Sequence, residues 1–145
     1  MLSKAGYAQL QENEASYYAA ISSSSIKKVN DQLELLKNSS ATENEAYVGA
    51  LLMKKAGLVL PPAEKLKLFK LGRSELELMI QKEEGNVEYR FLRVIIQENA
   101  PKFLKYYNEL DEDCRMIKNS FKKLSPSLQE IILDYSKKST RLKLT

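Results

Sequence analysis

Arg90, Arg93 and Gln97 follow one another at intervals of three and four residues, which sets them along one side of a helix. The planar guanidinium fork matches carboxylate or phosphate, so this set could form an anion or acidic-peptide site in a groove between helices. The same arginines could instead pair with acids of their own fold, among them Glu88, Glu98 or the run Asp111-Glu112-Asp113. Pairing is the preferred reading, because these acids are close in sequence and buried charges are normally paired. Tyr106 joins the candidate binding set as the rim member of Tyr106-Tyr107, since a half-exposed tyrosine suits a binding surface, although packing alone also uses such rings.

The remaining residue types exclude more chemistry than they offer. Histidine is absent and cysteine occurs once, as Cys114, so neither a His-dependent triad nor a multi-thiolate zinc site can be built within this chain. Cys114 itself falls on an apolar stripe, where a thiol behaves as a small hydrophobe and its thiolate is disfavoured. Carboxylates such as Glu43, Glu75, Glu77 and Glu84 are plentiful, but none sits in a motif that sets it apart from a solvated helix surface. Asp111 to Asp113 lie within a helical pattern and splay around it instead of converging from a loop, which argues against a divalent-cation site. No catalytic residue, metal or cofactor is expected, and the chain is read as a non-enzyme.

The elements that must position these side chains are helices. At 145 residues, 43% hydrophobic, with only 5 glycines and 4 prolines, the sequence has the composition of one domain, residues 1–145, built from long helices with few loops. Helix content far above the usual one third or so is expected, with no sheet. Basic residues (23) slightly outnumber acids (19), and the excess lies between Arg115 and Thr145, where only Glu130 and Asp134 oppose it. Such an end could meet phosphate or an anionic surface. No glycine-rich loop or interleaved aromatic platform accompanies it, so nucleic acid is not an expected partner. Met1 to Leu10 lacks the apolar core of a secretory signal, and no run of about 18 apolar residues occurs, so a soluble, cytoplasmic protein is expected, or an exported one if a signal was removed.

Seven helical segments can be read from apolar spacing and stop signals. The first carries Tyr7, Leu10, Tyr17 and Ile21, the second Ile26, Val29, Leu33 and Leu36, with the serines 22–25 as their connection. Thr42 and Glu45 have capping-box spacing and open a third, to about Val59, which Pro61-Pro62 stops. The fourth runs from about Pro62 to Glu84 and the fifth from Val87 to about Asn99, separated by Gly85 as C-terminal glycine and Asn86 as N-cap. Both have apolar residues on two sides, which predicts that both are sandwiched centrally. Phe103, Tyr107, Leu110, Cys114, Ile117, Phe121 and Leu124, alternating in steps of four and three, predict a sixth helix of about six turns after Pro101; Ser125-Pro126 opens a seventh. Phe91 and Phe103 are expected in the core, each costing about 3 to 5 kcal/mol on replacement by alanine.

Short connections make sequential helices pack as antiparallel hairpins, in a bundle or a stack. Gly72, Leu76, Met79 and Glu84 before Asn86, with Tyr47, Gly49 and Ala50 upstream, resemble the packing positions of tetratricopeptide helix pairs, although Met79 and Glu84 replace the usual alanine and proline and the spacing from Gly49 to Gly72 is longer than standard. From Tyr47-Val48-Gly49-Ala50 through Val87-Glu88-Tyr89-Arg90-Phe91-Leu92-Arg93 to Pro101, Phe103-Leu104 and Tyr106, the chain is similar to an uncharacterised family of small helical bacterial proteins. That resemblance implies a fold and carries over no activity or cofactor. The tetratricopeptide likeness implies a groove for a protein or peptide partner.

Overall fold

In the computed structural model, residues 4–39, 41–42 and 44–144 are described, with side chains from residue 12 onward. The order is α1 (Lys4–Ile21), α2 (Ile26–Lys37), α3 (Asn44–Ala56), α4 (Pro62–Lys82), α5 (Val87–Asn99), α6 (Leu110–Ser120) and α7 (Pro126–Lys138), with single 3-10 turns at Lys102–Leu104 and Phe121–Lys123. No strand occurs among the described residues, so the all-α reading holds. Tyr7 and Leu10, assigned to the first apolar face, lie outside the described side chains.

Three helix starts rest on side-chain caps, of which Asn86 was expected in that role. Ser25 accepts from the Lys28 amide, Asn86 from that of Tyr89 and Ser125 from that of Leu128, each satisfying a donor that the first turn leaves orphaned. The stop of α4 differs from expectation. Its helical path ends at Lys82, Glu83 takes a non-helical φ of −136°, and no described glycine has a positive φ, so Gly85 does not act as a left-handed cap.

α5 forms the axle. Every residue from Phe91 to Gln97 is buried, because α3, α4 and α6 cover it on different sides and Phe91 also meets Tyr18 of α1 and Tyr135 of α7. α4 is not sandwiched as its composition suggested. It buries a single stripe, Phe69, Gly72, Leu76, Met79 and Ile80, while Leu66, Leu71 and Leu78 face solvent, because its main neighbour is α3 and no element among the described residues covers its far side. The α3–α4 crossing is close enough that a Cβ on Gly49 would lie 2.7 Å from the Gly72 carbonyl oxygen, and one on Gly72 closer still to that of Gly49. Two helix backbones touch there because neither carries a side chain.

The sixth helix is shorter than its stripe. Pro101 leads only into the 3-10 turn, Lys105 adopts a left-handed conformation (φ 54°, ψ 42°), and the α-helix begins at Leu110. Phe103 is 79% exposed and is not a core residue. The break also reverses the tyrosine pair: Tyr106 is 2% exposed and Tyr107 46%, opposite to the stripe. The cause lies across the fold. Tyr106 packs edge-on against Phe69, carries the Arg73 guanidinium 4.6 Å over its ring and donates to Glu77, three anchors on α4 that a helix continuing from Pro101 does not provide.

Candidate functional site

The four residues singled out by type and spacing, Arg90, Arg93, Gln97 and Tyr106, come together on the side of α5 facing α4 and α6. They do so around three carboxylates, Asp113, Glu77 and Glu109. Arg93 donates to Asp113 through Nε (2.6 Å) and Nη2 (2.9 Å), a two-point fork, and through Nη1 to both oxygens of Glu77 at 2.8 and 3.1 Å. Arg90 reaches the same Asp113 at 3.1 Å and spends its other nitrogens on the Glu84 carbonyl, where it closes the end of α4. Tyr106 donates to Glu77 at 2.6 Å, and Gln97 to Glu109 at 2.7 Å. Arg93 is 4% exposed and the Asp113 side chain is wholly enclosed. Burial alone would lower the Arg93 pKa; Asp113 and then Glu77 outweigh it and hold the guanidinium firmly charged. The Gln97 carbonyl oxygen has no partner among the described residues.

Of the acids considered for pairing, only Asp113 meets the arginines. Glu88 and Glu98 form separate centres on other sides of α5. Glu88 accepts from the hydroxyls of Tyr18 and Tyr47, each at 2.7 Å, tying α1 and α3 to the axle. Burial pushes its pKa up, the two hydroxyls pull it down less strongly, and the charge of Glu14 adds to the rise. Glu98 accepts from Tyr135 (2.6 Å), the Ser139 hydroxyl (2.7 Å), and the Thr140 and Arg141 amides (3.0 Å each), so it fastens α7 and residues 139–142. Burial would raise this carboxyl, but those donors together hold it below the usual carboxylate range. Leu142 is fully buried beyond this clasp, and Arg141 pairs with Asp111. Cys114 lies in the core with its thiol pushed up, first by burial and then by Glu98, which leaves it a poor nucleophile.

Open surface lies elsewhere, in two grooves. The larger, about 1180 Å³, runs between α1 and α7 over a floor of Tyr18, Phe91, Ile95 and Tyr135. Its α1 wall is made of Ala15, Ala19 and, just past the helix, Ser22, both alanines exposed, and its rim carries Glu14, Glu130, Asp134, Lys137 and Lys138. The smaller, about 510 Å³, lies between the end of α3, the start of α4 and the turn after α5. It is lined by apolar residues including Met53, Phe69, Ile96 and the exposed Phe103, and its charged residues are Lys54 and Lys65. Arg90, Arg93, Gln97 and Tyr106 line neither. Nothing in the sequence pointed to these grooves, because each is assembled from segments far apart in the chain. Only the exposed alanines at 15 and 19, one helical turn apart, are a local trace of the larger one.

Among the described residues no helix is long and apolar enough to cross a membrane. Comparison with protein-family models, curated proteins and solved structures finds no match to this chain.

Proposed function

We propose that the protein is a non-enzymatic binding module that receives an amphipathic helix of a partner protein in the cleft between α1 and α7. The observation that carries this reading is the cleft itself. At about 1180 Å³ it exceeds the range of about 300 to 1,000 Å³ usual for small-molecule pockets, and it opens to solvent. Half-exposed Ile131 and Tyr135 offer apolar contact, the mixed-charge rim suits the polar flanks of a helix, and the small side chains of Ala15 and Ala19 let a second backbone approach closely. The Gly49–Gly72 crossing supports a tetratricopeptide-like origin for the α3–α4 pair, although the cleft lies on other helices. Small-anion binding through Arg90 and Arg93 has less support, since both guanidiniums already hold carboxylates.

A photo-crosslinking residue at Ala19 tests the proposal against the same residue at Lys70, an exposed position on α4. Position 19 should label one segment with apolar residues spaced three and four apart, position 70 should not, and adding Ala15→Arg on the same wall should abolish labelling from position 19 while leaving the melt unchanged, since arginine is a good helix former. Equal labelling from both positions, or labelling from position 19 that survives Ala15→Arg, refutes the reading.

A further inference from the structure

The smaller groove has a different character, and its polar inventory is short. Lys54 and Lys65 are its charged residues and no carboxylate lines it. The Lys65 ammonium leans on the Ala56 carbonyl at 3.4 Å, at the end of α3. Lys54 is half-buried, and among the described residues it has no carboxylate within ion-pair distance and no hydrogen bond. Burial lowers its pKa with no acid to oppose the shift, so its charge is held at a cost that an incoming anion would relieve. Asn99 also lines the groove, but its amide nitrogen is taken by the Ile95 carbonyl and the Tyr135 hydroxyl.

We infer that this groove binds a single-chain aliphatic carboxylate, the tail lying on Met53, Phe69, Ile96 and Phe103 and the carboxylate meeting the ammonium of Lys54. Its volume falls within the small-molecule range. The two like charges with no counter-charge select an anion. A peptide is a worse occupant, because each of its residues brings an amide donor and acceptor, and the groove has almost no side-chain groups left to satisfy them. Phe103, which the stripe placed in the core, is exposed at the mouth, where a bound chain would cover it. The assignment does not need a helix in the α1–α7 cleft, although Lys54 lines that cleft too.

Three probes that share a ten-carbon chain, kept below micelle formation or the solubility limit, separate tail from charge in titration calorimetry: decanoate, decanol and decyltrimethylammonium. Decanoate should bind at least tenfold more tightly than decanol, and the cation should not bind, as expected for a charge-assisted contact worth one power of ten or more. Lys54→Met should erase the preference for decanoate over decanol, and Phe103→Ser, at an exposed position, should weaken both alike. Decanoate affinity should also fall at alkaline pH sooner than for an ordinary lysine. Equal binding of decanoate and decanol, a preference that survives Lys54→Met, or no binding of decanoate would each overturn the assignment. So would a peptide ending in leucine that binds more tightly than decanoate, or a dimer, seen by sedimentation, that decanoate fails to dissociate.

Discussion

Asp113 decides the balance of charge in the interior. Its carboxylate is shared by two guanidiniums, so Asp113→Ala would leave both Arg90 and Arg93 short of a counter-charge inside the fold. Removing one partner of a buried ion pair typically costs about 3 to 5 kcal/mol. We predict a loss of that size by denaturant unfolding, and a smaller loss for Arg90→Met, because Arg93 would still neutralise Asp113. Equal losses would show that Arg90 is the essential partner. Glu88 and Glu98, on the same helix, should answer pH in opposite senses. Because the Glu88 pKa is raised on folding, the folded protein holds this proton more tightly than the unfolded chain; its contribution is full in acid and is lost as pH rises through the raised value. The Glu98 pKa is lowered, so its contribution is full at neutral pH and is lost as pH falls through the lowered value. Glu98→Gln should therefore flatten the acid side of a profile of melting temperature against pH. Glu88→Gln should gain on the native protein as pH rises from the ordinary glutamate pKa through the raised one. Parallel profiles for native and variant proteins would contradict the assigned directions.

Among the elements, the α3–α4 hairpin tolerates the least change. Gly72→Ala would press a methyl group against the Gly49 carbonyl, which is backbone and cannot swing aside, so the helices must part. A loss of about 1 to 3 kcal/mol is expected, as for other overpacked cores, and an unchanged melting temperature would mean that the two backbones do not touch. Lys105→Gly, at the left-handed residue before α6, should gain up to about 1 kcal/mol by the same measurement. How far these elements could be read from sequence varied with where their cause lay. Apolar residues on two sides made α5 legible, since both sides found cover, whereas the same signal in α4 misled, because its second apolar face faces solvent. The expected start of the sixth helix failed because a 4-3 spacing is blind to the contacts that pull Tyr106 toward α4. A local signal for the true start was present: Asp111, Glu112 and Asp113 are the acidic first turn that a helix N-terminus favours. The charge pairing was legible in kind, since Asp113 belonged to the expected run, but not Glu77, which the turn between α4 and α5 brings back onto Arg93. Neither groove could be read, because Ile21, Lys54 and Ile95 share no local pattern.

Across the whole molecule, polar centres tie nearly every helix to the axle, while the surface between those ties is left open as the two grooves. The grooves are not separate: Ile21, Lys54, Ile95 and Asn99 line both. Lys54 therefore stands between two occupants. In the cleft it is one of three cations facing Glu14, Glu98, Glu130 and Asp134. A carboxylate held in the smaller groove would neutralise it and leave the cleft more acidic, so a basic helix should bind more tightly and an acidic one less. The same factor must act in reverse on decanoate affinity, since linkage between two binding sites is reciprocal. Titrating decanoate with and without a saturating helix measures that factor, and Lys54→Met should bring it to one. An aliphatic anion would then choose which class of helix the protein holds: heterotropic control through a single shared ammonium, with no domain that needs to move.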